Sequence, residues 1–406
     1  MTKKINKCEV CGATEIYPVL NLGQHPMCDD LIPIGNKKES NLYPIEIAFC
    51  KNCYTAHQQF QIPKLELFPS NYHYRSRFTQ DVLNGMKDLV KSCEADFKGL
   101  EKKSVLDIGC NDGSLLNFFK LAGAKTYGIE PTNAFQEALE NGHEIIGDYL
   151  SREVAEIFIK NFGNPDIITF TNVFAHIEDL TEVIDSLKIL SHPETTIIIE
   201  NHYLGSVLER HQFDTFYHEH PRTYSLKSFE FIANSLNSKL RSVEFPSRYG
   251  GNIRVIISNR EINKKINLED VYAKEKNFFS DFKKMKENID FWKIRTQKFL
   301  NEKYDQIGQL SCKAFPGRAA ILVKLLDLNE EIISSVYEKP GSLKIGHYLP
   351  GTKIPILSDD ELFNKKNSPK FIINLAWHIE KEINSYLKSN GFNGEIFNIL
   401  DTDDFV

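Results

Sequence analysis

Four consecutive residues, Tyr217, His218, Glu219 and His220, place a phenol, two imidazoles and a carboxylate side by side in the chain. Histidine can take or give a proton near neutral pH, a carboxylate can orient it, and a tyrosine hydroxyl can donate to a developing oxyanion. These groups are the equipment for removing a proton next to a carbonyl. A metal site is the rival use of these residues, since imidazole and carboxylate groups are also metal ligands.

A second stretch, residues 104–113 with the sequence SVLDIGCNDG, has the pattern of a strand, a glycine turn and the start of a helix. Gly109 and Gly113 let the backbone approach a ligand closely, and the helix N-terminus offers unpaired N–H groups. The dinucleotide fingerprint G-x-G-x-x-G is not met, and Asp107 and Asp112 flank the glycines. Acids repel a pyrophosphate but attract the cationic groups of S-adenosylmethionine (SAM). The loop therefore predicts a SAM site.

Polar residues also follow the next predicted strands. Glu130 closes KTYGIE about twenty residues after the loop, the usual distance for a carboxylate that binds ribose hydroxyls. Asp148 can reach the adenine, and Asn172 closes the strand DIITFTN at the edge of the cofactor site. His176 follows the same strand, at the carboxyl end of the sheet where doubly wound folds bind ligands. Each residue alone also fits a strand end in an unrelated fold, but the ordered set predicts a methyltransferase-type Rossmann domain.

Two C-x-x-C pairs lie in the first 65 residues. A two-residue gap lets both thiolates of a pair turn toward one tetrahedral ion, and four sulfur ligands leave no open position. The sequence therefore predicts a structural Zn2+ site and disfavours unliganded thiols or a redox pair. The ligands are Cys8, Cys11, Cys50 and Cys53.

Bulk composition bounds the function. With 406 residues, the chain exceeds what one hydrophobic core usually serves. Its net charge of −6 argues against a nucleic-acid partner, because phosphate binding needs a basic surface. Apolar runs of membrane-spanning length and a signal-peptide core are absent from the sequence, so we expect a cytoplasmic protein without a membrane partner. The sequence is silent on oligomeric state.

Three further stretches are candidates for substrate contacts. Residues 68–78, FPSNYHYRSRF, offer aromatic faces and guanidinium forks, which suit a loop over a substrate or packing between domains equally well. A glycine turn with two arginines, residues 248–254, suits a diphosphate or carboxylate, and its rival reading is a turn with solvent-facing arginines. The basic, glycine-rich turn at 339–351 resembles a phosphate-contacting loop.

The order of these motifs predicts an α/β protein of four parts. Residues 1–67 are a small zinc-binding domain, and residues 68–260 are a Rossmann-like class I SAM methyltransferase domain with a preceding helical segment. Residues 261–310 carry apolar side chains at helical spacing and predict a helical connector. Residues 311–406 alternate strands and helices, which predicts a second α/β domain with a parallel sheet.

Several motifs together resemble the bacterial sugar C-methyltransferases that act on nucleotide-linked deoxy keto sugars, and the similarity covers nearly the whole chain. The matching motifs are the two cysteine pairs with LNLGQHP between them, the D-x-G-x-N-D-G loop, NVFAHIEDL, FDTFYHEH, YGGNIRV and GHYLPGTKIPI with Trp377 and His378. The resemblance implies that the C-terminal α/β domain, residues 311–406, is Rossmann-like and helps to bind substrate. It also implies that a base removes the proton alpha to a sugar ketone and that the enolate carbon attacks the SAM methyl group.

The resemblance also implies roles for individual residues. His220 would be the general base, with Tyr217, Glu219 and His176 assisting, and a tyrosine before the SAM domain would enter the active site. The other predicted site residues are a second tyrosine, the cofactor ligands and the substrate ligands. The second tyrosine is Tyr72 or Tyr74; the cofactor ligands are Asp107, Gly109, Asn111, Asp112, Gly113, Glu130, Asp148 and Asn172; the substrate ligands are Arg222, Arg248, Asn252, Arg254, Lys344 and His347.

Two positions depart from the family pattern. RSRF replaces a serine-rich loop, and Arg222 follows YHEH where an aromatic or small residue is usual. These departures suit an acceptor with more negative charge than the usual deoxy sugar, or one that is not a ketone. The sequence therefore predicts a SAM-dependent methyltransferase that acts on carbon, with O- or N-methylation of a nucleotide-linked or phosphorylated sugar as the alternative.

Overall fold

A computed structural model describes residues 2–68, 74–261, 267–364 and 369–401. The N-terminal part is mostly short strands followed by one turn of helix. In chain order these elements are β1 (Lys3–Lys4), β2 (Tyr17–Pro26), β3 (Ile32–Pro33), β4 (Leu42–Phe49), β5 (Ala56–Gln58), β6 (Phe60–Gln61) and α1 (Lys64–Leu67).

The central part alternates helices and strands and has short 3-10 helices at Ser76–Phe78, Phe174–His176, Phe213–Thr215 and Arg248–Gly250. Its regular elements, in order, are α2 (Gln80–Phe97), β7 (Ser104–Ile108), α3 (Ser114–Leu121), β8 (Lys125–Ile129), α4 (Phe135–Glu140), β9 (Glu144–Ile146), α5 (Arg152–Phe162), β10 (Ile167–Thr171), α6 (Leu180–Leu190), β11 (Thr196–His202), α7 (Leu204–Glu209), β12 (Arg222–Thr223), α8 (Leu226–Ser235), β13 (Lys239–Glu244), β14 (Asn252–Ser258) and α9 (Glu269–Glu275).

The last part begins with a long helix and continues as a second alternating unit, with a 3-10 turn at Trp377–Ile379. Its elements are α10 (Phe278–Ile307), β15 (Leu310–Lys313), α11 (Ala319–Leu325), β16 (Ile333–Glu338), β17 (His347–Tyr348), β18 (Ile356–Ser358), α12 (Asp359–Phe363), β19 (Phe371–Asn374), α13 (Glu380–Ser389) and β20 (Glu395–Asn398).

The chain divides into two compact units that interleave along the sequence. The first consists of Met1–Tyr17, Ala48–Ser206 and Glu219–Phe279, and the second of Pro18–Ile47, Val207–His218 and Ser280–Val406. Part of the predicted zinc-binding domain therefore belongs to the same unit as the C-terminal sheet. The boundaries of the four predicted parts stay a prediction.

The first unit contains a large sheet in the order β9-β8-β7-β10-β11-β14-β13. The strands from β9 to β11 run parallel, whereas β14 is antiparallel to both β11 and β13. Helices cover both faces of such a sheet, so its strands are apolar on both sides. Ile167, Ile168 and Phe170 of β10 are accordingly fully buried. The chain order reverses between β7 and β10, which opens a crevice at the carboxyl ends of these strands.

Helix packing fixes the start of that crevice. On α3, Leu115 and Phe119 are buried against β7, and α2 contributes Met86 and Leu89 to the same core. Burial of each such side chain contributes about 1.5–3 kcal/mol. The helix that begins at Ser114 is thereby held in place behind the predicted cofactor loop.

The second unit contains a smaller, wholly parallel sheet in the order β18-β16-β15-β19-β20. The parallel sheet predicted for the C-terminal part is therefore confirmed. Trp292 of α10 is buried and donates its indole N–H to the carbonyl of Ile399 at 3.0 Å, which fastens the long helix to this unit. Within the described ranges of the chain, no helix combines the length and apolar character that crossing a membrane requires.

Candidate active site

The loop after β7 adopts the conformation that its glycines predict. Gly109 and Gly113 have φ angles of 69° and 75°, a region that favours glycine. A Cβ atom at Gly109 would lie 2.7 Å from the side chain of Val173. The loop thus passes close to the chain that leaves β10, and both strand ends face the same crevice.

Asp107, the last residue but one of β7, is a buried carboxylate. Its Oδ1 accepts a hydrogen bond of 2.7 Å from the Thr169 hydroxyl on the neighbouring β10. Burial raises the pKa of Asp107 to about 7, and the nearby charge of Glu130 acts in the same direction. A cation in this crevice would relieve that cost, which fits the sulfonium and ammonium groups of SAM.

Glu130 lies at the end of β8, as the sequence predicted, and is buried. Its Oε2 accepts the backbone N–H of Asn111 at 2.9 Å, and its Oε1 accepts the backbone N–H and the hydroxyl of Thr132. These bonds orient the carboxylate beside the cofactor loop. Asp148 is exposed, and its Oδ1 accepts the N–H of Tyr149.

The side chains of Asn111 and Asp112 bind the segment before α2. Asn111 Oδ1 accepts the N–H of Ser76 at 3.1 Å, and Asp112 Oδ2 accepts the N–H of Arg77 at 3.0 Å. The carbonyl of Tyr74 accepts from Asn111 Nδ2, and the Tyr74 side chain is 41% exposed. Both loop side chains therefore bind protein groups over the cofactor loop. Tyr72 lies outside the described residues.

Three histidines meet at the carboxyl edge of the large sheet. His176 follows β10, His202 ends β11, and His220 precedes β12. The ring centroid of His220 lies 4.8 Å from that of His176 and 5.3 Å from that of His202. The predicted general base thus contacts two other imidazoles at the carboxyl edge of the sheet.

Burial sets the protonation state of this cluster. His176 is largely desolvated, which lowers its pKa to about 4 even though backbone carbonyls of Glu219 and Asn172 favour its protonated form. Its Nδ1 lies 4.0 Å from Oε2 of Glu219. His176 is therefore neutral at physiological pH. The buried Glu219 carboxylate lies close enough to stabilise a positive charge on the cluster.

The other two members of the YHEH segment lie in the second unit. His218 Nε2 bonds the carbonyl of Tyr43 at 3.2 Å, and burial lowers the pKa of His218 to about 4. Tyr217 is half-buried. The segment is a turn, which directs His218 and His220 to different partners. The catalytic role of Tyr217 stays a prediction.

Arg248 and Arg254 converge on one buried carboxylate, Glu200 of β11. Arg248 bonds Glu200 Oε1, and Arg254 donates to Oε2 at 2.7 Å. Asn252 donates to both Glu200 and Asn172, at 3.0 and 3.2 Å. These contacts tie β14 to β11 behind Asn172. Arg254 also pairs with Glu244 at 3.0 Å, so two carboxylates balance the two guanidinium groups. A substrate anion would have to share these groups, and their role as substrate ligands stays a prediction.

Arg222 is fully buried in the structure. Its guanidinium group bonds Glu9, the carbonyl of Ile177 and the hydroxyl of Tyr224. It also lies 3.4 Å from the carbonyl of Glu178. The expected contact of Arg222 with a substrate stays a prediction, and the protein itself uses the donors of this residue.

The predicted C-terminal substrate ligands belong to the second unit. Lys344 Nζ donates to the carbonyl of Phe315 at 2.6 Å, and His347 Nδ1 lies 3.3 Å from the carbonyl of Lys344. His347 and Tyr348 form β17, which pairs with β3. Lys344 thus lies beside the loop that follows β15, while its contact with a substrate stays a prediction.

The four predicted zinc ligands lie together. The Sγ atoms of Cys8, Cys11, Cys50 and Cys53 lie within 4.8 Å of one another. Zinc–sulfur bonds of about 2.3 Å in a tetrahedron place sulfur atoms about 3.8 Å apart, so the four thiols fit one zinc ion. Thr55 and His57 lie beside the cluster, 3.0 Å from Cys53 Sγ and 3.3 Å from Cys8 Sγ respectively.

Sequence reasoning missed His202, Glu200 and Glu9 as members of the site. His202 had a usable signal, because it ends a predicted strand at the edge where His176 was expected. Glu200 lies inside an apolar strand, and Glu9 lies between two zinc ligands. Their partners are 48 to 213 residues away in the chain, so no local pattern could reveal them.

Three protein-family descriptions match successive parts of the chain. A zinc binding domain matches residues 8–68, a methyltransferase domain residues 76–243, and a C-methyltransferase C-terminal domain residues 247–398. Together with the cysteine cluster and the fold, these matches confirm the predicted structural zinc, the SAM cofactor and the class I methyltransferase fold.

Individual proteins are also similar to parts or most of the chain. C-methyltransferase NovU of Streptomyces niveus is 24% identical over 396 residues, which cover 94% of this chain and 92% of that protein. A ubiquinone biosynthesis O-methyltransferase of Haemophilus ducreyi is 33% identical over 110 residues, 25% of this chain and 46% of that protein. A magnesium protoporphyrin IX methyltransferase structure from Synechocystis PCC 6803 covers 44% of this chain and 80% of its own, with 15% identity and a TM-score of 0.33.

Proposed function

Because this chain belongs to the three-domain C-methyltransferase family, we propose that it methylates a carbon alpha to the ketone of a nucleotide-linked sugar. That it is a methyltransferase is the premise. The proposal adds the acceptor and the route, in which a base first converts the acceptor to an enolate.

One observation carries the proposal. His220 is buried, and its ring lies 4.8 Å from that of His176 and 5.3 Å from that of His202, at the sheet edge where the SAM loop also lies. A methyltransferase that acts on an acidic hydroxyl needs only weak base catalysis, whereas a carbon next to a ketone must lose a proton to a well-placed base. The buried imidazole cluster supports the second kind of acceptor.

His220 would take the alpha proton from the acceptor, and the electrons of the C–H bond would move onto the carbonyl oxygen. The resulting imidazolium would lie beside neutral His176 and near the carboxylate of Glu219. Both neighbours favour this charge in a site that excludes water. Tyr217 remains the predicted donor to the enolate oxygen, and one of Tyr72 and Tyr74 remains the tyrosine predicted to enter the active site.

SAM, when bound, supplies an electrophilic methyl group whose transfer forms the new C–C bond and leaves a neutral thioether. This chain's residues hold the donor: Glu130 would bind its ribose hydroxyls, and Asp107 would balance its positive charge. Gly109 and Gly113 keep the backbone close enough for these contacts.

A proton-exchange experiment tests the route. Enzyme and a nucleotide-linked keto sugar are incubated in deuterated water without SAM, and proton NMR follows the alpha position. We expect exchange at that carbon, with none in His220→Asn. An enzyme that methylates this acceptor but exchanges nothing would contradict the enolate.

O- or N-methylation of a nucleotide-linked or phosphorylated sugar is the alternative. The similarity to a ubiquinone biosynthesis O-methyltransferase covers only a quarter of the chain and leaves the acceptor open. Carbon NMR of the product made with labelled SAM separates the two reactions. An O-methyl carbon resonates far downfield of a C-methyl carbon, and a downfield signal would overturn the proposal.

A further inference from the structure

Arg222 joins two parts of the first unit that are distant in sequence. On one side is Glu9, which lies between the zinc ligands Cys8 and Cys11. On the other side are the carbonyls of Ile177 and Glu178, directly after His176. The side chain of Arg222 has no exposed surface, so all these contacts are made away from water.

Neighbouring contacts hold the same arrangement. Arg222 pairs with His57 in the antiparallel β12–β5 ladder, and His57 Nε2 lies 3.3 Å from Cys8 Sγ. Tyr224, whose hydroxyl accepts from Arg222 Nε, lies 3.4 Å from the carbonyl of Phe174. The segment that carries His176 is therefore held at three of its carbonyls, at positions 174, 177 and 178.

The charge of Arg222 makes this contact specific. A buried guanidinium group needs a countercharge, and Glu9 supplies it. The planar fork of arginine can reach a carboxylate and two carbonyls at once, which the single ammonium group of lysine cannot do. The carbonyls after His176 are thus fixed relative to Glu9 by one side chain.

We infer that Arg222 is a positioning residue, which fastens the segment 174–178 to the zinc-bound knuckle and so fixes His176 against His220. The inference rests on the proposed function only in that it takes His220 as the base. It gives zinc a consequence at the active site, because the zinc ligands on either side of Glu9 hold that carboxylate in place.

Arg222→Lys tests this role, with Arg241→Lys as the matched control. Arg241 bonds the carbonyls of Ser258 and Asn259 at the end of the sheet. These bonds do not involve the histidine cluster or its neighbours in the sequence. We expect Arg222→Lys to lower kcat about 10- to 100-fold, since small displacements of catalytic groups cost on this order. KM and SAM affinity should stay within about threefold of wild type, on the same principle, and Arg241→Lys should match wild type.

Two readouts do not depend on turnover. Zinc content by mass spectrometry should remain one ion per chain in Arg222→Lys. The ring signals of His176 in nitrogen-15 histidine-labelled protein, assigned with His176→Asn, should shift in Arg222→Lys and stay unchanged in Arg241→Lys. The ring signals test the inference even if the wild-type enzyme fails the exchange experiment, so the two proposals fail separately.

Three results would overturn the inference. A raised KM with unchanged kcat would make Arg222 a direct substrate ligand. Unchanged kcat and unchanged His176 signals would make it a structural residue alone. If Arg222→Lys does not fold, Glu9→Gln replaces it, because this change removes only the countercharge, and an unaltered His176 signal there would have the same meaning.

Discussion

The large mixed sheet and the smaller parallel sheet each contain five parallel strands in the same order, yet the carboxyl edges of these strands differ in chemistry. In each sheet an acid lies at the end of the strand that comes second in the chain, β8 or β16. This acid accepts a backbone N–H from the loop after the strand that comes first, β7 or β15. Glu130 accepts from Asn111 in the first unit, and Glu338 accepts from Phe315 in the second. The backbone plan of a nucleotide-type site is therefore present twice.

The side chains at the two edges separate their uses. In the first sheet Asp107 is buried against a neutral hydroxyl, and its raised pKa reports an unbalanced charge. In the second, Lys313 on β15 is buried in an ion pair with Asp359 at 2.7 Å. A Cβ atom at Gly317, in the loop that follows β15, would lie 3.0 Å from the Cβ atom of Cys28. One edge is thus suited to a cation, and the other balances its own charge.

The largest effect is expected at the histidine cluster. His220→Asn should reduce turnover about 100- to 10,000-fold, the range for loss of a general base, with unchanged SAM affinity. Turnover is measured with labelled SAM, and affinity by calorimetry. His218→Asn is the matched control, since His218 bonds the carbonyl of Tyr43, and its turnover should stay near wild type. Equal losses of turnover in both variants, or loss of SAM binding in His220→Asn, would contradict a specific role of His220 as the base.

At the second edge a similar disruption should affect stability rather than the cofactor. Lys313→Met leaves Asp359 buried without its partner, which costs about 3–5 kcal/mol. Denaturant unfolding measures this loss, and Lys313→Met/Asp359→Leu should recover most of it. SAM affinity of the folded variant should equal wild type. A weakened SAM affinity would mean that both edges serve the cofactor.

The two acids give a sharper test at the same backbone position. Glu130→Gln should weaken SAM binding about 10- to 100-fold, because a hydrogen bond to a charged group is worth about 1.5–3 kcal/mol. Glu338→Gln makes the same change in the second sheet and should leave SAM affinity as it is. Calorimetric titration of both variants with SAM decides between them; equal losses would show that the edges are equivalent.

The smallest effect is a pH dependence of SAM affinity. Because the pKa of Asp107 is raised to about 7, the carboxyl is mostly protonated at pH 6 and mostly ionised at pH 8. A cationic ligand prefers the ionised form, so affinity should rise with pH, by up to about tenfold over this range. Calorimetry at the two pH values measures the rise, and Asp107→Asn should abolish it.

The same shift has an opposite sign for folding. A carboxyl whose pKa is raised in the folded state binds its proton more tightly there than in the unfolded chain. Its contribution to stability is therefore lost as pH rises from about 4 to about 7. Asp107→Asn should accordingly be no less stable than wild type at pH 8, in contrast to Lys313→Met. Destabilisation of Asp107→Asn at that pH would contradict the unbalanced charge at the first edge.

Local spacing in the sequence was enough to predict several parts of this protein. A few neighbouring residues were enough to predict the zinc ligands from the two-residue gaps between cysteines. The same holds for the cofactor loop with Gly109 and Gly113, and for the acid after β8. The apolar runs and helical spacings likewise predicted two α/β units, since burial on a sheet face or a helix face imposes a local period.

The pairing of the charged side chains, in contrast, depends on contacts between residues that are distant in the chain. Arg222, Arg248 and Arg254 read as anion receivers in the sequence, and the structure gives them Glu9 and Glu200 as partners. The ring contact between His202 and His220 likewise depends on the order of the strands in the sheet. The physical reason is that a buried charge must find a countercharge wherever the fold brings one near, and that distance in space has no signature in the local sequence.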